Sequence, residues 1–402
     1  MQKANRASIE FSLFWESEQA KHADRYFAPK IDFWRDIFPG RMKQSMQALR
    51  EGDTCHERFA EGVLVPPHED EKVFEFDERG FCHRTPDGRG IIPERGRFYP
   101  SGFACCPLGC FKGNIVPFRL IGIGDETMTA DTNHPLAGYP LTLEAKCVEK
   151  LGAIEQHGGL CNHIPEMVTD SGPGMQVSYP GVATDFYAGY PFRRGNEGDD
   201  AVFYRAARMM NHLDDTAIHQ VESIYAGNLS PGMKILDLMS SRTSHLPASL
   251  RDCSVTGLGL NEEELQANGQ LSKTVLHDLN ADPALPFEKN EFDAVICSAS
   301  IEYLIRPLEV MADVVRVLRP GGVFIITFSD RWFPGKEILP WKDMHHFERL
   351  GFVLDLYVKT GLFRDLRTES IRNLPRPWND PHIRETFTSD PIFAVWGKTS
   401  LA

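Results

Sequence analysis

The stretch Gly232-Met233-Lys234-Ile235-Leu236-Asp237-Leu238-Met239-Ser240-Ser241 decides the fold: a short apolar run closes on an acid and passes into a polar loop. Three similar runs follow. They are Val255-Thr256-Gly257-Leu258-Gly259-Leu260, Phe292-Asp293-Ala294-Val295-Ile296-Cys297 and, after the turn Leu318-Arg319-Pro320-Gly321-Gly322, Val323-Phe324-Ile325-Ile326-Thr327-Phe328. Helical stretches separate them. Apolar strands alternating with helices indicate a parallel sheet covered on both faces. Ligands of such sheets bind beyond the carboxyl ends of the strands.

Working outward, Leu285-Pro286-Phe287 leads into Phe292-Asp293-Ala294-Val295, and the Leu318–Gly322 turn leads into the last run. Together these segments resemble class I S-adenosylmethionine (SAM) dependent methyltransferases of the methyltransferase type 11 kind. The resemblance covers residues 200–335 well and the rest poorly. It implies an α/β fold with a Rossmann-like, doubly wound, mostly parallel sheet, SAM as cofactor, and methyl transfer as the reaction.

Two departures stand out. The family's loop after its first strand reads Asp-x-Gly-x-Gly, and its glycines let the backbone approach the methionine part of the cofactor. Here the loop is Asp237-Leu238-Met239-Ser240-Ser241-Arg242-Thr243-Ser244-His245. The acid that ends the family's second strand and binds ribose is replaced by Gly259, with Asn261 two residues on. The loop and the Asn resemble a subgroup of methyltransferase-like proteins, so a variant pocket is expected. Hydroxyl and amide groups there still suit a polar ligand.

Carried over residue by residue, the resemblance puts Asp237, Met239, Ser240, Ser241 and Asn261 beside the cofactor. It makes Asp278 the acceptor from the adenine amino group and sets Leu279 by the ring. Ser298, Glu302 and Tyr303 follow the fourth run, where the family places substrate-side groups. Ser298 is expected at the cofactor and Glu302 among the catalytic candidates.

Residues 200–226 read as helical, with Asp214 or Asp215 as N-cap. On a continuous helix Tyr204, Arg208 and His212 would share one face. Arg208 would then hold a carboxylate of cofactor or substrate, and Tyr204 and His212 are catalytic candidates, His212 as a base near neutral pH. The plain alternative is a solvated or docking face. Glu262-Glu263-Glu264 suits the dipole of a helix start, and no further role is read into it. Asp330, Arg331 and Lys336 leave the last run toward the substrate side. Trp341 to Leu350 reads as a helix, Phe352 to Val358 as a strand and Phe393-Ala394-Val395-Trp396-Gly397 as the final antiparallel strand, with 364–390 a connection without readable chemistry.

At 402 residues the chain is long enough for two to three domains. The division expected is 1–150, a linker or lid at 151–199, and 200–402. A formal net charge of −13 without a basic block argues against nucleic acid as partner. No apolar run is long enough to span a membrane, and the start lacks a signal-peptide core, so a cytoplasmic protein is expected. The nine cysteines are scattered. Cys105, Cys106 and Cys110 form the densest group, but not in the paired spacing of zinc sites, and free thiols are expected.

In the N-terminal part, Ile37-Phe38-Pro39-Gly40 precedes a short helix over Met42–Leu49. Then come Gly52-Asp53, a strand over Phe59–Val65 ending at Pro66-Pro67, and Asn133-His134-Pro135-Leu136-Ala137-Gly138 before an alternating strand. These segments resemble SlyD-like FKBP domains, which implies an α+β domain of antiparallel sheet on one helix. The family's aromatic cup is not reproduced: Arg41 stands near its floor, and His68-Glu69-Asp70-Glu71 follows the prolines. Prolyl isomerase activity is therefore not expected, and the domain is read as docking on or covering the methyltransferase site.

The reading reached is methyl transfer to a small-molecule nucleophile, such as a thiol. Transfer in line needs positioning more than a catalytic acid, so the residues do not name the acceptor or the oligomeric state. The competing reading is an FKBP-like peptide-binding or folding factor whose methyltransferase-like scaffold has lost its cofactor.

Overall fold

The computed structural model describes residues 4–85, 88–154, 158–170 and 172–400, so positions 155–157 and 171 of the expected linker lie outside the described residues. The N-terminal part holds β1 (Ala4–Glu16), β2 (Lys21–Asp32), α1 (Met42–Ala48), β3 (Thr54–Phe59), β4 (Val73–Asp77), β5 (Phe98–Pro100), β6 (Pro117–Ile123), β7 (Thr127–Asp131), β8 (Leu141–Ile154) and α2 (Ile164–Thr169). There follow α3 (Asp200–Phe203), α4 (Asp215–Asn228), β9 (Lys234–Leu238), β10 (Ser254–Gly259), α5 (Glu262–Ala267), β11 (Lys273–Leu276), β12 (Phe292–Ser298), α6 (Pro307–Val317), β13 (Leu318–Phe328), α7 (His346–Thr360), β14 (Phe363–Arg372) and β15 (Ile392–Thr399).

The apolar runs form the expected parallel strands. The order β11-β10-β9-β12-β13 is parallel throughout, and antiparallel β15 follows β13. The sheet does not stop there. β14 pairs antiparallel with β15 and parallel with β2, from Arg367 opposite Lys21 to Arg372 opposite Tyr26. Through β2 the antiparallel strands β1, β8 and β3 complete one eleven-stranded mixed sheet. The expectation of two separate sheets is thereby corrected. A second antiparallel sheet, β4-β7-β6-β5, is built from residues inserted between β3 and β8.

Buried polar groups tie the two halves together. Asp24 on β2 accepts from Trp15 Nε1 at 2.8 Å and from Ser370 Oγ of β14 at 2.8 Å. His22 Nδ1 lies 2.7 Å from Thr368 Oγ1. Arg97 Nε and Phe98 N both donate to Glu348 Oε1 of α7 at 2.8 Å. No helix among the described residues is long and apolar enough to cross a membrane.

Four expected elements differ: the helix expected over Trp341–Leu350 is a 3-10 turn at Trp341–Asp343 followed, after a break, by the start of α7 at His346. Phe352–Val358 is not a strand but the core of α7, which is buried nearly all round. A fully buried run has no polar face to reveal its period. The N-terminal strand is Thr54–Phe59, and residues 60–65 turn away from it. Residues 363–372 form β14, and its polar Thr368 and Ser370 are satisfied by the partner strand.

Candidate functional site

A cavity of about 510 Å³ opens at the carboxyl ends of β9, β10 and β12, where a doubly wound sheet binds its ligand. Its floor begins at Asp237. This acid is buried, and its Oδ2 accepts from Ser240 Oγ at 2.5 Å and Ser244 Oγ at 2.6 Å. Burial pushes its carboxyl pKa up to about 6, against the pull of the two hydroxyls. Met239 has φ 58°, the left-handed conformation for which the related loop uses glycine. His245 (φ 54°) and Ala299 (φ 47°) also line the cavity in this region. Strain of this kind gathers at ligand sites.

The two sequence departures prove to be one. Ser240 N donates to Leu258 O at 2.7 Å, which lays the serine loop on the end of β10. A Cβ built on Gly259 would meet Ser240 O at 2.3 Å. The acid usual at this position has no room beneath the serine loop.

The expected continuous helix over 200–226 is broken. α3 ends at Phe203, α4 begins after its N-cap Asp214, and the residues between are not helical. Tyr204, Arg208 and His212 nevertheless all line the cavity, as parts of a covering segment. Asn261 holds it, donating to Tyr204 O at 2.8 Å and Arg205 O at 3.1 Å while its Oδ1 caps α5. Its amide is thus committed to protein groups.

Asp200, at the start of the cover, is anchored by Arg194 at 2.8 Å, Lys336 at 2.7 Å and Asn280 at 2.9 Å. Burial opposes its charge, but these donors hold its carboxyl below the usual range. Lys336, expected at the substrate, is instead 0% exposed and fastens this cover.

Asp237, Met239, Ser240, Ser241, Asn261, Asp278, Leu279 and Ser298 all border the cavity. Asp278 Oδ1 accepts from Asn280 N at 2.9 Å, and Ser298 Oγ lies 2.6 Å from the buried Tyr225 hydroxyl. Glu302 does not join them. In the 3-10 turn Ile301–Tyr303, Tyr303 borders the cavity, whereas Glu302 is 1% exposed and turned inward near Arg349. Burial raises its pKa to about 7.

Three groups were not found by sequence reasoning. Glu264 lines the cavity and accepts from two distant segments. His245 lines it with a buried Nδ1 that has no hydrogen-bond partner. The third is the connection 364–390, whose Asp380, Pro381 and His382 form a wall. Arg376 fixes that wall by donating to Asp390 at 2.5 Å and Asp380 at 3.0 Å.

The cover also carries unsatisfied donors. Arg208 Nη1 and Tyr204 Oη are buried without partners. The Arg208 guanidinium stands 4.7 Å from the Phe333 ring centroid and 4.8 Å from that of Phe203. Burial lowers the His212 pKa and brings that of His245 to about 4, so both imidazoles are neutral at pH 7. Away from the site, Cys105 and Cys106 have sulfurs 4.0 Å apart, and Cys110 Sγ donates to Ser101 O at 3.5 Å.

Residues 239–326 match the family described as methyltransferase domain. A ubiquinone/menaquinone biosynthesis C-methyltransferase UbiE of Allorhizobium ampelinum is 28% identical over 172 residues, 36% of this chain and 66% of that protein. Squalene methyltransferase 1 of Botryococcus braunii is 27% identical over 153 residues, 36% of this chain and 40% of that one. The chain thus spans less than two thirds of these relatives' lengths. A SAM dependent methyltransferase from Aquifex aeolicus superposes with a TM-score of 0.32 at 16% identity, over 47% of this chain and 91% of that one.

The match over residues 239–326 is thus to a methyltransferase domain, and the cofactor is SAM. The cavity fits that group. It offers a polar floor at Asp237, a loop already in the glycine conformation at Met239, and an unsatisfied guanidinium nitrogen on Arg208.

Proposed function

We propose that the protein transfers a methyl group from SAM to a small-molecule nucleophile within this cavity. The observation that carries the reading is that Arg208, Tyr204 and His245, whose Nη1, Oη and Nδ1 are buried without hydrogen-bond partners, all line one cavity at the strand ends. Unpaired buried polar atoms are costly, and a polar ligand would satisfy them. The relatives' names, a C-methyltransferase of quinone biosynthesis and a squalene methyltransferase, also point to small acceptors.

The cofactor, when bound, supplies an electrophilic methyl group. The chain's residues do the positioning. Asp237 and the Met239–Ser241 backbone bound the cofactor side, with Asp278 and Leu279 at its adenine end. Arg208 offers Nη1 to a carboxylate. The covering segment excludes water and orients the acceptor, which is most of what an in-line displacement requires. For a protic acceptor, neutral His212 takes the proton. Glu302, as placed, touches neither partner.

The N-terminal region, read as of SlyD-like FKBP character, serves here as a scaffold for the site-bearing half, and the β2–β14 pairing supports the joining of the two but says nothing of that character. A scaffold emptied of cofactor accounts poorly for so many unpaired groups around one cavity. The test is incubation with methyl-labelled SAM and a panel of small thiols, phenols, amines and carbon acids. Label is expected in one class of small acceptor. Label in none of them would contradict the proposal.

A further inference from the structure

Glu264 is 8% exposed and borders the cavity from the first turn of α5. Its two oxygens serve different segments. Oε2 accepts from Ser241 Oγ of the serine loop at 2.6 Å, and Oε1 accepts from Arg208 N of the cover at 2.7 Å. Its backbone N–H is capped by Asn261, which also holds Tyr204 O and Arg205 O. Its neighbours Glu262 and Glu263 are exposed. The carboxylate that β10 cannot carry at Gly259 is therefore matched by one that reaches the cavity wall from the next helix.

We infer that Glu264 is a positioning residue. It ties the serine loop to the covering segment and so sets how tightly the closed site holds its cofactor. This rests on the methyltransferase reading only for the identity of the ligand. The tie itself exists without one. The cover has no regular helix between Phe203 and Asp214 to hold it in place. Hydrogen bonds to a buried carboxylate are among the stronger ones available to it.

The geometry separates positioning from direct contact. In Glu264→Gln the amide oxygen still accepts from Arg208 N. The amide NH₂ donates to Ser241 Oγ, because a hydroxyl both donates and accepts. The tie then survives without the charge. Glu264→Ala removes it altogether, and Glu263→Ala is the control.

Two readouts decide the matter. The first is amide hydrogen exchange of residues 204–213 in the ligand-free protein. We expect at least about tenfold faster exchange in Glu264→Ala, the equivalent of about 1.4 kcal/mol of lost closure, and near-native exchange in Glu264→Gln and Glu263→Ala. The second is calorimetric titration with S-adenosylhomocysteine, expected to weaken about tenfold in Glu264→Ala and within about threefold in Glu264→Gln. Native exchange in Glu264→Ala would overturn the inference. So would equal loss of affinity in both Glu264 variants, which would make the charge itself a ligand contact. If the unaltered protein bound no S-adenosylhomocysteine, the cofactor reading would fall, while the exchange measurement would still decide the tie.

Discussion

The seam between the sheet halves and the cavity at the strand ends both bury charge, but they treat it differently. At the seam the acids find partners across the chain: Asp24 takes Trp15 and Ser370, and Glu348 takes Arg97 and the Phe98 amide. Arg372 there lacks two hydrogen bonds, yet lies 4.9 Å from the Phe347 ring centroid and near Asp24. At the cavity Arg208, Tyr204 and His245 each keep a polar atom unanswered, and Met239, His245 and Ala299 hold strained backbone. Satisfied buried charge fixes how elements join. Buried polar atoms left unsatisfied beside strained backbone mark where a ligand is expected.

The largest expected effect lies at the seam. Arg97→Ala leaves Glu348 buried without its cation and should lower unfolding free energy by about 3–5 kcal/mol in chemical denaturation. Next comes Asp237. Its folded pKa of about 6 exceeds that of an unfolded Asp. The folded state therefore binds the extra proton between pH 4 and 6, and this contribution to stability is lost as pH rises through that window. Asp237→Asn should abolish the effect. It should gain on the order of 2–3 kcal/mol relative to the unaltered protein between pH 4 and pH 7, as read from denaturation midpoints. An opposite slope would break the distinction between the two regions.

Arg208→Ala sharpens the comparison from the other side. It should cost little stability beyond its ring contacts, about 1 kcal/mol, yet weaken S-adenosylhomocysteine binding about tenfold. The smallest effect is expected from Trp15→Phe, which removes one hydrogen bond to Asp24 at about 1 kcal/mol and leaves ligand binding unchanged. A Trp15 variant that altered binding would mean that the seam communicates with the cavity.

Sequence alone showed the parallel strands, because β9, β10, β12 and β13 are apolar runs that end at turns or acids. It did not show α7. The run Phe352–Val358 is equally apolar as helix or strand, and the deciding signals lay outside it, in the His345–Glu348 capping box and left-handed Gly361. β14 escaped notice because its buried Thr368 and Ser370 are made apolar in effect only by β2, more than three hundred residues away. At the site, Asp237 and the serine loop were legible as a run closing on an acid. Glu264 was not: its position in a first helical turn has a sufficient local explanation, while its partners Ser241 and Arg208 stand 23 and 56 residues back.

The central claim is that the cavity built on Asp237 and the serine loop is a working SAM site. Its most direct test is calorimetric titration of the full chain with S-adenosylhomocysteine, beside Asp237→Ala checked for folding by circular dichroism. The account predicts micromolar one-to-one binding that weakens by more than about tenfold in the variant. Absence of binding to the unaltered chain, or equal affinity in Asp237→Ala, would contradict it.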